Sequence, residues 1–315
     1  MMASDMYYHV PVMTDEVIEY INCESGKIYI DCTLGGAGHS KRIEDAITPD
    51  GQLISIDQDI EALRNAQRIL NKKTILIHDN FQNVRTILDH IGIEAVDGIV
   101  ADLGISLFHI QQSGRGFSFM RSEPLDMRMN PKTEIRAKDL LANLSEKSLA
   151  KIFWENGEER YSRQIARKIV QIRATNPIEN TSHLCDIIKN TIPLKMQKRM
   201  NIHPATRIFM ALRIAVNAEL DCIEGFLKNV LSCLNPGGRL CMISFHSLED
   251  RLIKHCMRKW EAPCTCPKDL PECICKQKSK GRCIHRKGLT ASPAEIKRNP
   301  MARSARLRVF EKCFS

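Results

Sequence analysis

Polar groups recur where short apolar runs end. The first run leads into DCTLGGAGHS, Asp57 closes LISID, Asp79, Asn80 and Phe81 follow TILIH, and Asp102 closes GIVAD. Between Asp31 and a helix expected from His39 stand Gly35, Gly36 and Gly38. Glycines there let a ligand approach the backbone and aim N–H groups at it, although tight strand-to-helix turns of many folds are built the same way. Asp57 comes 19 residues after Gly38, where an acid accepts hydrogen bonds from ribose hydroxyls; helix capping is its other reading, a role Asp59 could also fill. The turn is neither GxGxxG nor followed by Lys and Ser or Thr, so adenosine without a pyrophosphate fits better than a dinucleotide or a nucleoside triphosphate. Phe81 offers a ring to cover an adenine face, although a lone Phe more often joins a core.

Two further constellations carry chemistry. HSLED, His246 to Asp250, follows an apolar strand pattern; it either seats a reacting base or opens a helix, with Ser247 as cap and Glu249 or Asp250 on the positive end of the dipole. Cys264, Cys266, Cys273, Cys275, Cys283 and His285 have the density of a zinc site. Their C-x-C pairs are tighter than the usual C-x2-C, so a reduced surface loop is the competing reading and the metal stays unassigned.

These residues need a scaffold. Runs at 28–31, 53–56, 74–77 and 98–101 are short and apolar enough for strands buried on both faces, and helical patterns at 39–46, 60–70 and 83–91 separate them. Strand and helix in alternation imply right-handed βαβ crossovers and a parallel sheet, hence a Rossmann-like α/β core. After Asp102 the rhythm breaks. Helices are expected at 145–156, 159–174, 181–191 and 204–220, the last opened by Pro204, and strand character returns only at 239–245 after a turn at Pro236, Gly237 and Gly238. An all-α lobe over 108–212 is therefore inserted between core segments 1–107 and 213–315, and RSARLRVFEK supplies a last strand.

Composition narrows the function class. The 315 residues are 43% hydrophobic and 26% charged, with no apolar run near the roughly 20 residues of a membrane helix. MMASDMYYHVPV resembles neither a secretion signal nor a transit peptide, which points to the cytoplasm. Thirteen cysteines are an odd number, and Cys32, Cys222, Cys233 and Cys241 sit in apolar segments, as reduced buried thiols do. Of the net charge of +9, residues 276–308 hold 11 Lys or Arg against Glu295 alone; that stretch is either a solvated tail or a grip on a polyanion. Lys195, Lys198, Arg199, Arg207 and Arg213 add a basic stripe to the lobe, and Arg115, Phe117, Phe119, Arg121 and Arg128 bring charge with aromatic faces.

The motifs HVPVMTDEV, DCTLGGAGHS, DGIVADLGIS, RGFSF, PLDMRM, NGEERYSRQIA, HPATRIFMALRIAVNAEL, PGGRL, ISFHSLEDR and ARSARLRV span nearly the whole chain. Together they resemble the RsmH (MraW) family of bacterial small-subunit ribosomal RNA methyltransferases, which methylate N4 of a cytosine in the decoding region of 16S rRNA. The resemblance implies a class I methyltransferase core using S-adenosyl-L-methionine, with cofactor contacts at Ala37, Gly38, His39, Asp57, Phe81 and Asp102. His109 stands where the family has a cofactor-binding glutamine, in Ser106-Leu107-Phe108-His109 against Ser-Ser-Pro-Gln, and a histidine donates one hydrogen bond without an amide's geometry. Asn156 likewise replaces the tyrosine of the family's YGEER.

For the target base, Asp102 and His246 are the groups expected to act. Asp102 either accepts an N–H of the cytosine amine or serves the cofactor alone. The implied partner is 16S rRNA, within the 30S subunit, with no membrane; monomer and homodimer are both open. A non-catalytic rRNA-binding or assembly module is the alternative that the basic regions alone would satisfy.

Overall fold

Strands and helices alternate through the first third of the chain. In the computed structural model, which describes residues 11–266 and 274–314, α1 (Thr14–Ile21) leads to β1 (Ile28–Asp31), α2 (Gly38–Ile47), β2 (Gln52–Asp57), α3 (Ile60–Ile69), β3 (Ile75–His78), α4 (Val84–His90) and β4 (Val96–Asp102). Helices follow: α5 (Leu107–Gln111), α6 (Ala137–Asn143), α7 (Glu146–Glu155), α8 (Ser162–Arg173), α9 (Thr181–Thr191), α10 (Leu194–Gln197) and α11 (Thr206–Asn217). The chain then forms α12 (Glu219–Asn229), β5 (Leu234–Ser244), α13 (Ser247–Glu261), β6 (Gly281–Cys283), β7 (Leu289–Thr290), α14 (Pro293–Arg298) and β8 (Arg306–Lys312). Two compact units result, one of Met1–Gly104 with Leu220–Ser315 and one of Ile105–Glu219.

The first unit is a Rossmann-like α/β layer structure. Among the described residues its sheet runs β3-β2-β1-β4-β5-β8-β6, with β7 also on β8. Strands β1 to β5 pair in parallel, and β8 lies antiparallel to β5. Tyr29, Leu53, Val100, Cys241 and Ile243 join an apolar cluster with Val17 and Ile21 of α1 and Ile43 and Ile47 of α2. Their neighbours Ile30, Ile54, Ile99, Leu240 and Met242 join another with Val84 of α4, Phe226 of α12 and Ile253 of α13. Because strand side chains alternate, these clusters cover opposite faces, which is why the strands read as continuous apolar runs. Strand order reverses between β1 and β4, and a crevice opens at the carboxyl ends of two strands that diverge in this way.

The second unit is all helical around its own core. Leu149 and Phe153, Ile165 and Ile169, Leu184 and Ile188, and Ile208 and Leu212 are buried together, each pair four residues apart and so on one face of its helix. Ser145 and Asn180 start α7 and α9 by accepting from the backbone N–H of Ser148 and His183.

Four expectations change in detail. Pro236, Gly237 and Gly238 lie inside β5, not in a turn ahead of it: pairing to β4 passes from Val96–Leu234 to Gly98–Arg239, so residues 235–238 bulge opposite Asp97, whose Oδ1 accepts from Asn235 Nδ2 at 3.0 Å. The helix expected at 204–220 begins at Thr206 and stops at Asn217, because Ala218 turns left-handed at φ 47°. The basic C-terminal stretch is not a tail. Its Arg308, 5% exposed, donates to both carboxylate oxygens of Asp250 at 2.6 and 3.0 Å, and Arg282 donates to Glu311 at 2.9 Å. Nor is the lobe's basic run one stripe: Lys195, Lys198 and Arg199 are exposed at and beyond α10, whereas Arg213 of α11 donates twice to Glu219 at 2.7 and 2.8 Å.

Candidate functional site

The neighbouring strands β1 and β4 end in Asp31 and Asp102, on either side of the strand-order reversal. Asp31 is fully buried; its Oδ2 accepts from Ser40 Oγ at 2.6 Å and its Oδ1 from the Thr33 N–H at 3.1 Å. Ser40 Oγ lies 2.9 Å from Ser55 Oγ on β2, and the Asp102 N–H donates to Thr33 Oγ1 at 2.6 Å. His39, in the first turn of α2 and 4% exposed, brings Nε2 to 3.5 Å from Asp102 Oδ2. Among the described residues, Asp102 Oδ1 and His39 Nδ1 are buried with no hydrogen-bond partner. Such orphans cost stability unless something binds them.

The electrostatics follow from that crowding. Burial pushes the His39 imidazole toward its neutral form, but Asp102, Asp31 and Glu295 outweigh it and lift its pKa above the ordinary histidine value. Burial also lifts the Asp31 carboxyl, against the lowering pull of His39, Ser40 and the Thr33 N–H.

The glycine turn is shaped by two left-handed residues, Gly35 at φ 47° and Ala37 at φ 62°. An alanine there is a strained choice, costing on the order of 1 kcal/mol or more, of the sort held at ligand-binding turns. Asp57 does not cap α3; Asp59 does, accepting from the Glu61 N–H at 3.1 Å. The Asp57 carboxylate instead reaches back to the turn, accepting from the Gly35 N–H at 2.8 Å and from the Asp59 N–H at 2.8 Å. Gly38 has its own constraint: a Cβ would fall 2.6 Å from Pro11 Cγ.

Beyond β3, Asp79 Oδ1 accepts from the Asn80 N–H at 2.7 Å and from Asn83 Nδ2 at 2.8 Å, so this acid shapes its turn. Phe81 is partly buried and packs edge-on against Phe226, with centroids 5.4 Å apart. Ile243 of β5 pairs with Asp102, which sets His246, three residues on, at the same edge of the sheet. His246, and not Ser247, is the N-cap of α13. Its ring accepts from the Glu249 N–H at 3.5 Å, while Glu249 Oε2 accepts from the N–H groups of Phe245 and His246 at 2.8 and 3.3 Å.

The helical unit holds the other named residues. His109, 8% exposed, has Nδ1 3.0 Å from Ser106 Oγ in the cap of α5 and its ring centroid 4.9 Å from Phe117. Arg128 clasps Asp126 through Nε and Nη2, both at 2.7 Å, and Arg115 Nη1 donates to the carbonyls of Arg128 and Met129 at 2.9 Å. These arginines build their loop. Phe119 stacks on His203 at 4.5 Å.

Of the cysteines, Cys264, Cys266 and Cys275 converge, their sulfurs all within 4.8 Å of one another. Cys283 and His285 stand outside that group: the Cys283 N–H donates to Glu261 at 3.0 Å, and the His285 ring meets Tyr20 edge-on at 4.9 Å. Cys273 lies outside the described residues.

Asp31, Thr33, Ser40 and Ser55 join the site beyond the residues that the sequence singles out. Asp31 carried the available signal, since it ends β1 as Asp57 ends β2 and Asp102 ends β4. Chemically, the strand ends offer carboxylates, one imidazole and a partly buried glycine turn. That set suits a ligand with hydroxyl donors and positive charge.

The MraW methylase family profile matches residues 6–313. Ribosomal RNA small subunit methyltransferase H of Desulfosudis oleivorans is 47% identical over 309 residues, spanning 97% of this chain and 99% of that protein. The proteins of the same name from Desulforapulum autotrophicum and Clostridioides difficile are 48% and 42% identical, covering 96% and 97% of this chain and 98% and 99% of theirs. With the family profile matching residues 6–313 and identities of 42–48% over nearly the whole length of both chains, the chain belongs to the MraW methylase family.

Proposed function

We propose that this chain transfers a methyl group from S-adenosyl-L-methionine to N4 of a specific cytosine in the decoding region of 16S rRNA. The observation that carries this reading is the full-length match to ribosomal RNA small subunit methyltransferases H, at 47% identity over 309 residues. The residues present fit the cofactor. It carries positive charge at its sulfonium and ammonium groups and hydroxyl donors on its ribose, and the strand ends supply the carboxylates of Asp57 and Asp102, the latter with a buried, unpartnered Oδ1.

When bound, S-adenosyl-L-methionine supplies a methyl carbon already activated by its positive sulfur, so positioning is most of the catalytic task. Ala37, Gly38 and His39 hold it through the glycine turn, Asp57 through the ribose, Phe81 along the adenine, and His109 in place of the family's glutamine. Asp102 is first a cofactor contact. Its second role is to accept an N–H of the target amine, whose lone pair is delocalised into the ring until an acceptor favours the attacking form. Transfer would form the N4–carbon bond as the carbon–sulfur bond breaks with its pair on sulfur, and the proton lost by the amine would pass by way of the Asp102 acceptor to water. His246 stands at the same sheet edge to seat the base.

A base in folded RNA must leave its stack to react, which requires phosphate grips around the pocket. Exposed Lys195, Lys198 and Arg199 are the grips assigned to the helical unit, which is the RNA-recognition lobe in this reading. The substrate is 16S rRNA in the 30S subunit, and that places the enzyme in the cytoplasm; among the described residues no helix is long and apolar enough to cross a membrane. A purely RNA-binding assembly module would not need the crevice. Calorimetry with S-adenosyl-L-methionine separates the two: saturable binding at one site per chain, lost in Asp57→Ala, supports the enzyme, and absence of binding supports the module.

A further inference from the structure

The connection from Glu261 to Gly281 runs without helix or strand among its described residues, yet both of its ends are held tightly. The Lys280 N–H donates to the Trp260 carbonyl at 2.9 Å, and the Cys313 N–H donates to the Lys280 carbonyl at 3.0 Å. Trp260 packs on Phe310 of the sheet, with centroids 5.2 Å apart. Residues 262–280 have little apolar content to bury. Something else must hold it.

Three thiols meet inside that connection. The sulfurs of Cys264, Cys266 and Cys275 all lie within 4.8 Å of one another, although Cys275 is nine residues along the chain from Cys266. Thiolates about 2.3 Å from a tetrahedral metal sit a little under 4 Å apart, so three sulfurs gathered this closely approach the base of such a tetrahedron. A disulfide joins only two of them, at about 2 Å, and gives the third no reason to converge. A metal binds cysteine as the thiolate, and soft sulfur ligands select zinc over magnesium or calcium.

We propose that Cys264, Cys266 and Cys275 bind one zinc ion, a structural site separate from the methyl-transfer crevice. Zinc has no part in the reaction; it pins the connection against the end of α13 and the edge formed by β6 and β8, and orders the basic residues Lys276, Lys278 and Lys280 that follow. Cys283 and His285 are not ligands, and Cys273, outside the described residues, is no part of the set proposed.

The test uses the full chain, produced with zinc in the medium and purified under reducing, chelator-free conditions. Elemental analysis is expected to find about one zinc per chain, released on thiol modification. Cobalt exchanged into the protein is expected to show thiolate-to-cobalt charge transfer. Cys264→Ser, Cys266→Ser and Cys275→Ser each lose the ion, whereas Cys283→Ser and His285→Ala keep it. Binding of S-adenosyl-L-methionine, followed in every variant, reports whether the crevice domain is still folded, so that loss of metal with binding intact assigns the ligands. Limited proteolysis adds a second reading: chelation is expected to open cleavage between residues 262 and 280 several-fold. A metal-free wild type that fails to take up added zinc, a disulfide between two of the three thiols in the reduced protein, or full zinc retention by all three serine variants each overturns the proposal.

Discussion

The imidazole of His39 and the carboxylate of Asp102 face each other across the ends of β1 and β4, with Nε2 3.5 Å from Oδ2. They come from opposite sides of the point where strand order reverses, so the contact exists only once the sheet is assembled. Asp102 Oδ1 and both ring nitrogens of His39 are buried without a hydrogen-bond partner among the described residues, Nε2 having only the ion-pair contact.

Asp102→Ala is expected to abolish methyl transfer. Asp102→Asn keeps the shape and one acceptor oxygen but loses the charge, and kcat/KM should fall roughly 10- to 100-fold, the value of a hydrogen bond to a charged group. Steady-state kinetics locate the loss. A raised KM for S-adenosyl-L-methionine with little change in kcat is expected of a cofactor contact, and a fall confined to kcat would assign Asp102 to the target amine instead.

The pH response should carry the signature of this pair. The folded pKa of His39 is raised, so its favourable contribution is complete below the ordinary histidine range and is lost as pH rises through the folded value. Asp31 works in the same direction: its folded pKa is raised by burial, so the native state holds its proton longer than the unfolded chain and loses ground as pH climbs through that value. NMR titration of the histidines is expected to show one imidazole titrating above the usual range, and Asp102→Asn should bring it down. A His39 that titrates below the ordinary value would show that burial dominates.

Gly38→Ala tests the turn without touching a charged group. Its Cβ would press into the ring of Pro11 at 2.6 Å, and a proline ring has little room to yield. Overpacking of this kind costs about 1–3 kcal/mol, and chemical denaturation should register it together with weaker cofactor binding. Unchanged stability would mean that Pro11 moves aside freely.

His246 has two separable roles. As the N-cap of α13 its loss in His246→Ala should cost about 0.5–2 kcal/mol of stability, and Asn, a good cap, should restore most of it. If the ring also seats the cytosine, His246→Asn will still show a raised KM for 30S subunits while keeping its melting temperature. Full recovery of activity by Asn would leave His246 with capping alone.

Replacing Lys195, Lys198 and Arg199 by Gln should weaken RNA binding uniformly and reduce the slope of log affinity against log salt by roughly 2. S-adenosyl-L-methionine affinity should not change. Arg308→Gln belongs to a different class: with its side chain 6% exposed and bonded to Asp250, its loss should lower stability and leave the salt slope alone.

How much of this was legible in the sequence follows from the range of the interactions. The α/β core could be read because apolar runs such as LISID are buried on both faces, and the helices of the second unit because pairs such as Leu149 and Phe153 sit one turn apart. Asp57 and Asp102 could be placed at strand ends for the same local reason. What charge composition could not reveal is pairing across long separations. Arg308 finds Asp250 only when β8 inserts beside β5, and Arg213 finds Glu219 only because Ala218 breaks the helix between them. The bulge at Pro236–Gly238 was read as a turn because Pro and Gly mark both, and only the register with β4 tells them apart. Asp31 escaped notice as a working residue because its partners Ser40 and Ser55 are ordinary in sequence and become a network only when α2 and β2 flank β1.

The most direct measurement is mass spectrometry of nucleosides from 16S rRNA after 30S subunits lacking the modification are incubated with this protein and S-adenosyl-L-methionine carrying an isotopically labelled methyl group. The expected product is a single labelled N4-methylated cytidine from the decoding region, absent with Asp102→Ala. Label on a ring carbon, on another base, or nowhere in the RNA would contradict methyl transfer to the cytosine amine.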